Sequence, residues 1–68
     1  MKISVNGVVK EFDVNASMVD IVNVELNGKE PKGIAVALND TILPKSKWSE
    51  TILKENDRIE IVHAVQGG

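Results

Sequence analysis

The sequence contains no cysteine and no tyrosine, and Phe12 and Trp48 are its only aromatic residues. Without cysteine no disulfide can brace the fold, so its stability must come from an apolar core. The chain also lacks an apolar run long enough to span a membrane, and its first residues lack the apolar stretch of a signal peptide, so we expect neither feature. These absences predict a cytoplasmic protein with no membrane partner.

An excess of charge of one sign is missing as well. Eight Lys and Arg residues oppose ten Asp and Glu residues, which gives a formal net charge of -2. Domains that bind nucleic acid usually carry a basic patch or stripe, so we expect no nucleic-acid partner. A length of 68 residues suits one domain with one small core and leaves no volume for a deep pocket.

Alternating apolar residues and turn signals organise the first half of the chain. Residues 1–14 read as a β-hairpin that turns at Asn6-Gly7, because both residues tolerate positive φ. Ser17 and Asp20 have the spacing of a helix capping box. Apolar residues at helical spacing follow until Asn27-Gly28, a plausible stop. The first half therefore predicts two strands and one helix.

The second half reads as strands. Residues 34–38 are apolar in every position, which is typical of a central strand covered on both faces. Residues 41–43 form a short edge segment that ends at Pro44, which has no N–H for a ladder. Residues 46–51 read as a turn or short helical piece, and the last strand, which includes Arg58, should lie centrally.

This order of elements predicts an α+β fold in which a mixed sheet packs against one helix. That layout is the β-grasp, the ubiquitin-like fold. We expect the domain to span residues 1–65 and residues 66–68 to form a flexible Gly-Gly tail.

The side chains offer little for catalysis. His63 is the single histidine and has no partner at a useful spacing, so a structural role in the last strand is favoured over a catalytic one. No set of His, Cys or carboxylate residues predicts a metal site. Trp48 is expected to fill the core under a loop with its N–H bonded, and a role in partner binding is the alternative.

The main chain is the better candidate for a reactive group. A terminal carboxylate at Gly68 is ionised and unreactive at neutral pH, so it needs an activated leaving group such as an adenylate. Gly67 and Gly68 have no Cβ and can thread a narrow channel together with Gln66. We therefore expect Gly68 to carry the chemistry, and an incidental frayed end is the alternative.

The last strand also suggests a docking surface. Val62 and Ala64 follow Glu60 on the face opposite Ile59 and Ile61, so the polar face of the strand becomes apolar near its end. These residues, with Val65, either dock a partner or belong to the core at the sheet end. The pattern leaves both interpretations open.

Several segments together resemble the ThiS family of thiamin biosynthesis. They are Asn6-Gly7 and residues 33–39 (GIAVALN), 43–48 (LPKSKW), 57–62 (DRIEIV) and 64–68 (AVQGG), so the resemblance covers nearly the whole chain. Asn56 stands where the family often has glycine, and Lys45 where arginine is common. Asparagine also tolerates positive φ, whereas lysine cannot fully replace a bidentate arginine.

The resemblance implies a β-grasp sulfur carrier that is a protein co-substrate and not an enzyme. It implies a ThiF-type enzyme that uses Mg-ATP to adenylate Gly68, a persulfide donor protein, and a thiazole synthase that takes the sulfur from the thiocarboxylate. No cofactor bound to the carrier itself is implied. The alternatives are a small subunit of molybdopterin synthase, a ubiquitin-like protein modifier and, more distantly, a non-covalent β-grasp binding module.

Overall fold

The computed structural model describes residues 1–63, which hold five strands, one α-helix and one 3₁₀ helix. In chain order these are β1 (Lys2–Val5), β2 (Val8–Glu11), α1 (Met18–Glu25), β3 (Ile34–Leu38), β4 (Thr41–Ile42), the 3₁₀ helix (Lys45–Glu50) and β5 (Arg58–His63). The predicted order of elements is confirmed. The predicted boundary between domain and tail lies outside the described residues and stays a prediction.

The five strands form one mixed sheet in the order β2-β1-β5-β3-β4. β1 and β5 run parallel, and the other neighbouring pairs are antiparallel. The last strand therefore lies in the centre of the sheet and β4 at one edge, as the sequence predicts. This topology is the β-grasp.

The first hairpin turns where the sequence predicts. Asn6 and Gly7 both have positive φ, 50° and 83°, which suits the twist of a two-residue hairpin turn. The last regular pair of the two strands is Lys2 and Glu11. One further hydrogen bond lies beyond it, from the N–H of Phe12 to the carbonyl of Met1 at 2.9 Å. β2 is exposed along its whole length, so this edge strand contributes little to the core.

The helix begins with the predicted capping box. The N–H of Asp20 donates to Ser17 Oγ at 3.3 Å, and the N–H of Ser17 donates to Asp20 Oδ2 at 3.0 Å. At the other end Asn27 and Gly28 take positive φ and stop the helix. Reciprocal capping and packing outweigh the β-branched residues, which weaken a helix. The buried helical residues are Met18, Ile21 and Val22.

The core lies between the helix and one face of the sheet. Its buried members are Ile3, Val5, Met18, Ile21, Val22, Val36, Trp48, Leu53, Ile59 and Ile61. Trp48 is buried, and its indole N–H donates to the carbonyl of Leu43 at 3.0 Å, which confirms its predicted structural role. The helical piece that contains Trp48 begins and ends one residue earlier than predicted.

One prediction about the sheet is wrong in part. β3 lies inside the sheet, between β5 and β4, as predicted, but it is not covered on both faces, because Ala35 is exposed. The single helix covers one face of the sheet, so only Val36 of this strand is fully buried. No helix within residues 1–63 is long and apolar enough to cross a membrane.

Candidate functional site

Strand β5 connects the core to the predicted reactive end of the chain. Ile59 and Ile61 point into the core, and Glu60 and Val62 point to the open face of the sheet. Val62 is 57% exposed, so the interpretation of this residue as core does not hold. It remains a candidate docking residue on a surface that partners can reach.

Strand register extends this surface beyond β5. Val62 lies directly opposite Ala35 on β3, and Ala37 lies opposite Ile42 on β4. Ile42 is 68% exposed. We call Ala35, Ala37, Ile42 and Val62 the apolar patch. Three strands contribute to the patch, and the sequence analysis found only Val62, because cross-strand neighbours cannot be assigned without the register.

Charged and polar groups frame the patch. Glu60 lies opposite Ala37 on the same open face. Arg58 Nη2 approaches Asp40 Oδ2 at 2.9 Å in an exposed ion pair. Asn39 accepts the N–H of Arg58 at 2.9 Å and donates to Asp57 Oδ1 at 3.0 Å. These bonds fix the start of β5, so the apolar patch has a defined position on the sheet.

The other end of β5 is held by a side chain from the first hairpin. Asn6 Oδ1 accepts the N–H of Ile61 at 2.8 Å, and Asn6 Nδ2 donates to the carbonyl of Ile61 at 3.2 Å. The sequence analysis identified Asn6 only as a turn residue. A contact across 55 positions gives no local signal in the sequence.

The remaining predicted site residues lie outside residues 1–63. They are Ala64, Val65, Gln66, Gly67 and Gly68, so their roles in docking, threading and chemistry stay predictions. His63 is the last described residue, exposed and opposite Ile34. Its position in a strand agrees with the favoured structural role.

Neither a metal site nor a cavity adjoins the apolar patch in the part of the chain that the structure describes. Residues 1–63 bring together no group of three or more His, Cys, Asp or Glu residues that could hold a metal ion. A cavity of about 300 Å³ opens between the β2–α1 loop and the helix, where Phe12, Val14 and Val24 are among the lining residues. None of its lining residues belongs to β3, β4 or β5, so the cavity is separate from the apolar patch.

Comparison with known proteins gives the geometry a context. The model of the ThiS family matches residues 3–68, which includes β5, the apolar patch and both final glycines. The chain belongs to the ThiS family. The predicted family is therefore confirmed.

Solved ThiS structures support the fold. The chain is similar to the crystal structure of the thiamine biosynthesis protein ThiS from Geobacter metallireducens, with 23% identity, full coverage of both chains and a TM-score of 0.80. A solution structure of a thiamine biosynthesis protein from the same organism gives 21% identity, coverage of 100% and 88%, and a TM-score of 0.73. At this identity the likeness establishes the β-grasp fold.

A curated relative is longer. The chain is 36% identical over 69 residues to a thiazole synthase of Paramagnetospirillum magneticum, and it spans 20% of the length of that protein. A ThiS-like segment is thus part of a protein named for the synthesis of thiazole.

The two departures from the family pattern have different structural settings. Asn56 has a φ of 70°, so asparagine supplies the left-handed backbone that glycine often provides there. Its N–H donates to the carbonyl of Lys2 at 2.8 Å. Lys45 is exposed at the start of the 3₁₀ helix. Asn56 therefore preserves the backbone geometry of the turn.

Proposed function

We propose that this ThiS chain carries sulfur as a thiocarboxylate on Gly68 and donates it for the thiazole ring of thiamin. The observation that carries the proposal is the family match, which extends through Gly67 and Gly68. The chain is a co-substrate in this proposal. The catalysts are separate proteins, and the reaction takes place in the cytoplasm.

The first step activates the carboxylate. A ThiF-type enzyme holds Mg-ATP, and a carboxylate oxygen of Gly68 attacks the α-phosphorus. The bond from that phosphorus to the β,γ-diphosphate breaks, so the products are an acyl adenylate and pyrophosphate. Gln66 and Gly67 thread the tail toward the nucleotide, because glycine has no Cβ to obstruct a narrow channel.

The second step introduces sulfur. The terminal sulfur of a protein persulfide attacks the carbonyl carbon of the adenylate, AMP leaves, and an acyl disulfide forms. A thiol then attacks the other sulfur and supplies the electron pair that cleaves the S–S bond. The products are the thiocarboxylate on Gly68 and a disulfide between donor and thiol. Thiazole synthase takes up the sulfur.

The apolar patch is the proposed docking surface for these partners, together with Ala64 and Val65. It lies on the open face of the sheet, and Val62 is on the strand that leads to Gly68. Exposed aliphatic residues on one face suit recognition by another protein. The thiazole synthase relative, which contains a ThiS-like segment, supports thiazole synthase as the enzyme that accepts the sulfur.

Intact-mass spectrometry tests the proposal. A chain prepared to end at Gly68 is incubated with a ThiF-type enzyme, Mg-ATP, a persulfide donor and a thiol reductant. We expect the mass to rise by the difference between sulfur and oxygen, with the change located on Gly68 by fragmentation. A chain that lacks Gly67 and Gly68 is the control. An unchanged mass of the full chain, or an equal gain by the control, would contradict the proposal.

A further inference from the structure

Strand β1 ends before its neighbour does. β1 pairs with β5 in parallel through Val5 and Ile59, and the chain then turns away at Asn6-Gly7. β5 continues for four more residues, to His63. Within residues 1–63, no strand lies beside this end of β5 on the β1 side.

Asn6 fills that gap with its side chain. The N–H of Ile61 donates to Asn6 Oδ1 at 2.8 Å, and the carbonyl of Ile61 accepts from Asn6 Nδ2 at 3.2 Å. The backbone of Asn6 also donates its N–H to the carbonyl of Ile59 at 2.9 Å. The amide side chain thus replaces the peptide group of a longer β1, and each polar group of Ile61 on this side has a partner.

Asparagine meets two requirements at this position at once. The hairpin turn needs a residue that tolerates positive φ, and Asn6 has a φ of 50°. The end of β5 needs a donor and an acceptor on one short side chain. Glycine meets only the first requirement, and aspartate lacks the donor and places a carboxylate oxygen beside the carbonyl of Ile61.

From this geometry we infer that Asn6 is a positioning residue for the activation of Gly68. Asn6 holds the backbone of β5 at Ile61, so that a docked activating enzyme receives the strand that precedes Gly68 in one arrangement. The inference rests on the proposed function. Small misplacements of a reacting group strongly lower the reaction rate. Loss of the Asn6 contacts should therefore lower kcat, whereas docking through the apolar patch determines KM.

The chain supplies a matched control for this idea. Asn27-Gly28 repeats the same dipeptide, with φ of 54° and 78°, at the exposed end of the helix. No hydrogen bond of the Asn27 side chain occurs within the described part of the chain, residues 1–63. Asn27→Gly and Asn27→Asp therefore make the same chemical changes without disturbing β5.

The experiment compares Asn6→Gly and Asn6→Asp with these controls. A ThiF-type enzyme adenylates each variant, and the release of pyrophosphate measures the rate. All variants are assayed at a temperature at which circular dichroism shows them folded. We expect kcat to fall roughly tenfold or more for both Asn6 variants, with KM changed less than about twofold. Both Asn27 variants should behave like the wild type.

Hydrogen exchange supplies a second measurement that does not depend on the enzyme. The amide of Ile61 should lose protection in Asn6→Gly and keep it in Asn27→Gly. Adenylation of the wild type and of Asn6→Gly at equal kcat would overturn the role of Asn6 and leave the proposed function intact. A wild type that is never adenylated would overturn both. A rise in KM alone would place Asn6 in docking and also contradict its positioning role.

Discussion

The apolar patch leads to the sharpest functional prediction. Replacing Ile42 and Val62 together by alanine should weaken docking to the activating enzyme and leave the chemistry at Gly68 unchanged. Contacts made equally in the ground state and the transition state affect KM and not kcat. The double variant should therefore show a raised KM for adenylation at unchanged kcat.

The size of the effect follows from exposure. Val62 is 57% exposed and Ile42 is 68% exposed, so a partner can remove that much of each side chain from water. Full burial of such a side chain is worth about 1.5–3 kcal/mol, which gives about 1 kcal/mol for Val62 and somewhat more for Ile42. Together they contribute about 2 kcal/mol, which corresponds to a roughly thirtyfold rise in KM.

The control for this assay is Val24→Ala. Val24 is 60% exposed but lies on the helix, away from the open face of the sheet. Its replacement removes about as much exposed apolar surface as the replacement of Val62 alone and should leave KM within about twofold of the wild type. Urea unfolding checks that every variant keeps its stability. Equal KM values for the double variant and the wild type would refute the docking argument, as would an equal rise with Val24→Ala.

Two other predictions concern the elements that hold the site. Ser17→Ala removes the side-chain half of the capping box and should lower the free energy of unfolding in urea by about 1 kcal/mol. The backbone N–H and hydroxyl of Ser17 bond to the Asp20 carboxylate and lower its pKa from 3.8. The associated stability is present above pH 3.8 and is lost as the pH falls through the lower pKa of the folded state. An NMR titration should show the pKa of Asp20 move part of the way back in Ser17→Ala, and an unchanged pKa would contradict this account. Trp48→Phe keeps an aromatic ring but leaves the carbonyl of Leu43 without its donor, which should cost about 1–3 kcal/mol in the same unfolding assay. A loss near zero would show that water replaces the indole N–H.

Local signals account for what the sequence predicts well. The capping box spans four residues, and the turn at Asn6-Gly7 needs only two that accept positive φ. Each feature forms from neighbours along the chain, so its pattern is visible before the fold is known. The central place of β5 also follows from its composition, because Ile59 and Ile61 must be buried.

Non-local pairing accounts for what the sequence analysis missed. Ala35 and Ile42 join Val62 only because the registers of β3 with β5 and of β4 with β3 place them on one face. The pattern of apolar residues also cannot show that the helix covers only one face of the sheet. For this reason the sequence predicts that both faces of β3 are covered. The hydrogen bonds between Asn6 and Ile61 depend on the parallel pairing of β1 with β5.

Strand β5 separates stability from recognition in adjacent residues, and this separation can be tested. Ile61 is 8% exposed and Val62 is 57% exposed, on opposite faces of the sheet. Ile61→Val removes one methyl group from the core and should cost about 1 kcal/mol of unfolding free energy with no change in KM. Val62→Ala should raise KM about fivefold, from about 1 kcal/mol of lost contact, and change stability by less than about 0.5 kcal/mol. If both substitutions altered stability and KM together, the two faces of β5 would not act independently. The protein could then not be described as a folded body with a separate docking surface.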